Sequence, residues 1–435
     1  CMDCPDPQCV TGCPVAIDIP SFIKNIERGD FAGAYTVLRL TSALPAVCGR
    51  VCPQERQCES KCIYNKMKKQ PVAIGYLERF AADFAASAPG TCLPKAPEAN
   101  GKKVAVVGSG PAGLSFAGDM AARGYDVTVF EALHQIGGVL KYGIPEFRLP
   151  NSVVDAEIEA LKAMGVKFVS DCVIGKTLSQ DDLREWDFSG IFVASGAGLP
   201  RFMSIPGENL AGVMSSNEYL TRINLMGAGL PGHDTPVMKA HTVAVVGGGN
   251  TAMDSVRTAR RMGASRAIIV YRRSEEEMPA RAEEIAHARQ EGVEFMTLHN
   301  PVEYLGDESG RVRAMRLQVM ELGAPDASGR RAPVAVEGKI VEIPVDEVIV
   351  SIGVSPNPIV PEAFSGLEVS SKGTIVVDPS TMRSAVPEIY AGGDIVRGGA
   401  TVILAMGDGR RAAAAMHDAL CGVTTPASAG ANSVQ

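Results

Sequence analysis

Eight of the eleven cysteines fall within the first 62 residues, at spacings that suit metal-cluster ligation. Cys1-x2-Cys4-x4-Cys9-x3-Cys13-Pro14 is close to the run that binds iron–sulfur clusters, in which the last cysteine often serves the neighbouring cluster. Cys48-x3-Cys52-Pro53-x4-Cys58-x3-Cys62 supplies a second group. Thiolate suits iron because both are soft, and a proline after a ligand bends the chain away from the cluster. Together the eight thiols could hold two cubanes. Two four-cysteine zinc sites are the competing reading, but zinc motifs favour C-x2-C knuckles at both ends. Plain buried cysteines are the blander one. Cys1 could also serve as an amino-terminal amidotransferase nucleophile, yet nothing after it supplies a base or an oxyanion hole.

Two glycine turns carry the second chemistry. Gly108-x-Gly110-Pro111-Ala112-Gly113 follows the strand-like VAVV and opens a helix. Gly108 makes the tight turn, Gly110 lets the backbone approach a pyrophosphate, and Gly113 allows close helix–strand packing. Glu131 closes the next strand, where a carboxylate can accept hydrogen bonds from ribose hydroxyls. The second turn, Gly247-x-Gly249-Asn250-Thr251-Ala252, repeats the design, but its second strand ends in Tyr271-Arg272-Arg273 and not in an acid. Two guanidiniums there suit a 2′-phosphate, so this turn is expected to prefer NADPH to NADH; a solvated basic strand end is the alternative. A flavin disulfide reductase would need a cysteine pair just beyond the first turn, and there is no cysteine between Cys92 and Cys172. Electrons must therefore go to something other than a dithiol, and the amino-terminal clusters are the available sink. A flavin accepts a hydride as two electrons and releases them singly, and a cubane takes one at a time.

These motifs need elements to position them. The chain of 435 residues suggests about three domains. Hydrophobic residues at 46% and charged residues at 21% exclude wholesale disorder. A net charge of −7 argues against nucleic acid as a partner, and no stretch of ~18 apolar residues exists to span a membrane. Without a signal-peptide pattern before the cysteines, a reducing, cytoplasmic setting is expected. The start at Cys1, without Met, reads as a processed or truncated start. Short amphipathic helices are expected from Asp18 to about Ala86, then a linker from Ser87 to Gly101. KKVAVVGSGPAGLSFAGDMAARGYDVTVFEA reads strand, turn, helix, strand, and HTVAVVGGGNTAMDSVRTARRMGASRAIIVYRR repeats it. LGAPDASGRRAPVAVEG looks like a hairpin excursion within the second unit. The fold class expected is α/β: a helical iron–sulfur domain followed by two Rossmann-like nucleotide-binding domains.

CPVAIDIPSFI, LPAVCGRVCPQERQCESKC, AIGYLERF, VVGSGPAGLSFA, IGGVLKYGIPEFRLP, VVGGGNTAMD, YRRSEEEMPAR and AGGDIVRGGATVILAMGDGR carry a resemblance. Nearly the whole chain, from Cys1 to about Leu420, resembles the glutamate synthase (NADPH) small-subunit family. Its relatives include the large subunit of NADH-dependent ferredoxin:NADP oxidoreductase, sulfide dehydrogenase, and the amino-terminal half of dihydropyrimidine dehydrogenase. The resemblance implies two 4Fe-4S clusters, one on Cys1, Cys4, Cys9 and Cys62, the other on Cys13, Cys52, Cys58 and Glu78. Spacing alone would choose Cys48 over Glu78; the resemblance reverses that and leaves Cys48 structural. It also implies FAD at the first turn, lined by Gly137, Gly138 and Leu140, with Asp394 near the ribityl chain and Gly393 among the cofactor-binding residues. A helix beginning at Thr401 and Val402 would aim its amino terminus at the flavin, although an ordinary core helix explains the same residues. Glu277, Met278 and Arg281 have no role beyond proximity to the NADPH turn.

The expected boundaries are a two-cluster helical domain over 1–98, FAD-binding segments over 99–200 and 355–421, an NADPH domain over 201–354 and a flexible tail over 422–435. The function implied is electron transfer from NADPH through FAD and the clusters to a larger partner subunit. That partner would be a glutamate synthase large chain or, for a bifurcating subunit, a ferredoxin-reductase-like flavoprotein, with ferredoxin as a further acceptor. A non-enzymatic, cofactor-bearing assembly subunit is the third reading.

Overall fold

The computed structural model describes residues 1–87, 97–327 and 329–422. Cys92, most of the expected linker and the tail beyond Gly422 lie outside them. The chain forms two compact units, one of Cys1–Gly138, Asn151–Ala197 and Pro356–Gln435, the other of Val139–Pro150 and Gly198–Ser355.

The first unit opens with short helices whose starts are written in the sequence. Asp18 caps Ile19–Glu27 by accepting from the Ser21 amide, and Asp30 caps Phe31–Arg39 through the Gly33 amide. Pro45 stands in the first turn of Pro45–Val51, where its missing N–H costs nothing. These helices bury Phe22, Ile23, Leu38 and Val47. The helix Ile74–Ser87 buries Ala81, Ala82 and Ala85 on one face, and with them Glu78.

Behind them lies a five-stranded parallel sheet, in the order Ile389–Ala391, Phe188–Val193, Lys103–Val107, Asp126–Phe130, Lys167–Val169. Its strands, apart from the exposed edge strand Lys167–Val169, are mostly buried and rich in Val, Ile and Phe, as a parallel sheet covered on both faces requires. The helix Pro111–Ala121 is almost wholly buried, and its Phe116 ring stacks on Phe192 with centroids 4.4 Å apart. The nineteen-residue helix Val402–Leu420 lies along it. Small residues make that approach possible: a Cβ on Gly409 would run into the Ala112 carbonyl oxygen.

The second unit repeats the parallel sheet, in the order Val213–Ser215, Glu347–Val350, Thr242–Val246, Arg266–Tyr271, Glu294–Thr297. The helix Asn250–Arg261 follows its glycine turn. An antiparallel sheet of His299–Gly306, Val312–Pro325 and Arg331–Pro344 extends from it, the last two strands forming a long hairpin. Both sheets are doubly wound α/β. Among the described residues no helix is long and apolar enough to cross a membrane.

Candidate functional site

The thiols separate by environment. Cys13, Cys48, Cys52 and Cys58 line one pocket together with Glu78, Ile17, Phe22 and Ile403. Burial pushes the Cys13 thiol up to about 11, and burial with Glu78 and Cys13 raises Cys58. The Cys48 hydrogen bond holds the Cys52 thiol down, but burial, Glu78 and Cys13 leave it raised on balance. Neutral thiols in an apolar pocket are poor company for a carboxylate. Glu78 is buried nonetheless, its carboxyl pushed up to about 8, and its Oε1 has no hydrogen-bond partner. A buried carboxyl oxygen left without a donor in a pocket lined by four cysteines is a group that a metal centre could satisfy. Cys48, fully buried in the same pocket, has a thiol raised by its hydrogen bond with Cys52 and by burial, and its Sγ also lies 3.4 Å from Met406 Sδ on the last helix.

Cys4, Cys9 and Cys62 form a more open group. The Cys9 thiol is raised by burial, with the Cys62 and Cys4 thiols adding to it. Cys1 and Cys4 are half-buried, and the Cys1 carbonyl accepts from Lys24 Nζ at 3.1 Å. Among the described residues no three His, Cys, Asp or Glu side chains close around a point where a single metal ion would be held, and all the cysteines there are free thiols.

At the first turn Gly108 adopts φ +100°, and a Cβ on it would meet the Ala194 carbonyl oxygen at 2.5 Å. Gly110 caps the helix from Pro111, and its own Cβ position is open space, leaving room for a phosphate beside the helix amino terminus. Ala112 and Gly113 are buried in the first turn, where a Cβ on Gly113 would strike the Gly108 carbonyl oxygen. Gly138, at φ +55°, comes against Gly110. Glu131 accepts from the Ser109 amide (2.9 Å), the Ser109 hydroxyl and the Leu133 amide (3.0 Å). Oε2 takes both Ser109 bonds, so it is Oε1, with only the Leu133 amide, that keeps a lone pair for a further donor. Ser109 also accepts from the Gly137 amide at 2.8 Å, tying three loops into one cradle.

The turn Gly392–Asp394 completes this cradle. Gly393, at φ +77°, is close enough that a Cβ would meet Ala112 Cβ at 3.0 Å. Burial, opposed by the Ala400 amide, raises the Asp394 carboxyl to about 6. Thr401 caps the last helix, its Oγ1 accepting from the Leu404 amide, and Val402 is the first helical residue. Nearly two turns further on, Asp408 is completely buried. It accepts from the Gly393 amide (3.0 Å), from Arg397 Nε and Nη2 (2.6 Å each) and from Arg411. Sequence reasoning missed Asp408 and Ser109. The available signals were an acid between two glycines inside an apolar helix and a hydroxyl between the first two glycines of the turn.

In the second unit Gly247 has φ +145°, with a Cβ position blocked by the Ser351 carbonyl oxygen, and Gly249 is open in the same way as Gly110. Asn250 and Thr251 begin the helix and Ala252 is buried. Asn250 Oδ1 accepts from the Arg281 amide at 2.9 Å, which draws the MPAR segment to the turn. The Tyr271 ring lies against Gly248, and its hydroxyl donates to the Glu277 carbonyl at 3.0 Å. Arg272 is exposed and Arg273 buried. Leu140 is fully buried in this unit. Below the turn, Arg148 Nη1 meets Asp254 Oδ2 at 2.7 Å and Arg257 pairs with Glu284, a buried network that the sequence did not announce.

With the geometry in place, residues 102–414 match the family described as pyridine nucleotide-disulphide oxidoreductase. Residues 1–89 match the dihydropyrimidine dehydrogenase domain II, 4Fe-4S cluster family. The glutamate synthase (NADPH) small chain of Azospirillum brasilense is 37% identical, over 96% of this chain and 87% of its own length. That of Escherichia coli K12 is 36% identical, over 95% and 88%. The beta subunit of NADP-dependent formate dehydrogenase from Moorella thermoacetica is 38% identical, and this chain spans 60% of its length. Among solved structures, FprA of Mycobacterium tuberculosis in complex with NADPH is similar in fold, with a TM-score of 0.62 at 20% identity over 74% of this chain and 85% of that one. Thioredoxin reductase of Lactococcus lactis gives 0.56 at 20% identity, over 74% and 99%.

Proposed function

The chain belongs to the pyridine nucleotide-disulphide oxidoreductase family, in the branch of the glutamate synthase (NADPH) small chains, and from that premise we propose that it is an NADPH-linked FAD and iron–sulfur oxidoreductase subunit. When bound, FAD supplies the conversion of a hydride into single electrons, which 4Fe-4S clusters accept one at a time. The chain's own residues do the rest by positioning. Gly108, Gly110 and the helix from Pro111 would hold the pyrophosphate of FAD, with Glu131 toward its ribose and Asp394 toward its ribityl chain. Gly247, Gly249 and Arg272 would hold NADPH. Cys13, Cys52, Cys58 and Glu78 would hold one cluster, and Cys1, Cys4, Cys9 and Cys62 the second. Electrons would leave to a larger partner subunit, as the names of the relatives suggest for a small chain.

One observation carries this reading. The helix Val402–Leu420 serves the first glycine turn and the cysteine pocket at once. Gly409 lies on Ala112 of the nucleotide helix, while a Cβ on Gly407 would meet the Pro14 carbonyl oxygen, next to Cys13, at 2.9 Å. Ile403 of the same helix lines the thiol pocket, and Met406 touches Cys48. A rigid element common to both sites fixes their separation, which is what tunnelling between cofactors needs.

The test is anaerobic NADPH titration of the purified, cofactor-loaded protein, followed by flavin absorbance and by EPR. Bleaching of the flavin together with signals from two reduced clusters is expected. Zinc in place of iron and acid-labile sulfide, or a flavin that NADPH leaves oxidised, refutes the reading.

A further inference from the structure

The strand Arg266–Tyr271 delivers Arg272 and Arg273 to its carboxyl end, where dinucleotide folds read the substituent on the adenosine ribose. The structure makes these two arginines unequal. Arg272 is exposed, and its side chain has no ion pair or hydrogen bond among the described residues. The Arg273 side chain is only 6% exposed. Its Nε donates to the Arg331 carbonyl at 2.8 Å, and its Nη2 reaches Asp326 Oδ2. Both partners belong to the hairpin, on either side of its turn: Pro325 pairs with Arg331, and the Asp326 amide donates to the Arg330 carbonyl at 2.7 Å.

We propose that Asp326 sets the coenzyme preference of the second glycine turn by holding Arg273 away from a 2′-phosphate. The proposal rests on reading that turn as the NADPH site. A guanidinium recognises phosphate or carboxylate through either of two edges, and the Nε–Nη2 edge of Arg273 is already engaged, with Nη2 drawn toward Asp326. A 2′-phosphate approaching Arg273 therefore shares it with a carboxylate in place, while Arg272 meets it unopposed. Discrimination between NADPH and NADH then falls mainly on Arg272. It is adjustable from a hairpin residue that acts on the coenzyme only through Arg273, which makes Asp326 a positioning residue.

The measurement is calorimetric titration of the purified protein with 2′,5′-ADP and with 5′-ADP, which needs no turnover. Asp326→Asn keeps the size and the backbone turn but removes the charge that holds Arg273. It is expected to tighten 2′,5′-ADP by about tenfold, the scale of one added charge-assisted hydrogen bond, with 5′-ADP unchanged. In the double variant Asp326→Asn with Arg273→Met that gain should vanish, assigning it to Arg273. An unchanged or reduced ratio of the two affinities in Asp326→Asn, with a wild-type preference for 2′,5′-ADP, overturns the role of Asp326 alone. The absence of any 2′-phosphate preference in wild type and variant alike overturns the NADPH reading of the turn and this proposal with it.

Discussion

Replacing Asp408 by Asn tests whether the last helix and the Gly392–Asp394 turn act as one piece. The carboxylate is fully buried and holds two arginines and a backbone amide. Asn keeps one acceptor for the Gly393 amide but removes the charge from the bonds to Arg397 and Arg411. Each charge-assisted bond contributes about 1.5–3 kcal/mol when both ends are dry. Here Arg397 and Arg411 keep 34% and 44% of their side-chain exposure, so both can return to water. That discount brings the expected loss to about 2–3 kcal/mol in total. Because Asp408 fixes Gly393, which abuts Ala112 at the first turn, FAD affinity should fall as well, by about tenfold. Denaturant unfolding of the flavin-loaded protein and FAD release followed by fluorescence measure the two effects. An unfolding free energy within about 0.5 kcal/mol of wild type, with FAD binding intact, would show that the turn is held by something else.

Other perturbations follow from the same geometry. Glu78→Ala should lower iron per chain and alter one EPR signal, whereas Cys48→Ser should leave iron content unchanged; the opposite pattern makes Cys48 the ligand. Gly409→Ala drives a methyl into the Ala112 backbone, which cannot yield, and should cost about 1–3 kcal/mol or more on thermal unfolding. Arg272→Ala should raise the KM for NADPH far more than that for NADH; equal effects remove its assignment to the 2′-phosphate. Glu347 is buried with an unpartnered Oε1, and desolvation raises its carboxyl from 4.5 to about 7. Between those values the unfolded chain releases the proton and the folded chain keeps it, so stability falls as pH rises from about 4.5 to about 7. Glu347→Gln should flatten that slope in denaturant unfolding; a variant with the wild-type slope would place the titration elsewhere.

Much of this molecule is legible along the chain because its signals are local. A strand ending in Gly-x-Gly needs only its own neighbours to turn, and Gly108 and Gly247 take the positive φ their spacing announces. Clustered cysteines likewise declare soft-metal chemistry by type and interval. The choice between Cys48 and Glu78 was not local. Spacing favours the thiol; folding brings Cys48 to Met406, 358 positions away, as well as to the thiol pocket, and brings Glu78 into the same pocket with an Oε1 that has no donor. Arg272 and Arg273 are adjacent and look interchangeable, but alternation along a strand end exposes one and hands the other to a hairpin more than fifty residues on.

The sequence by itself determined the chemistry on offer and the two doubly wound sheets, since residue type and short-range periodicity suffice for both. Only the tertiary structure decided that Glu78 shares one buried pocket with Cys13, Cys48, Cys52 and Cys58, that Asp408 ties the last helix to the Gly392–Asp394 turn, and which arginine is free. Burial and pairing depend on what the rest of the chain brings alongside, and no interval between neighbours encodes that.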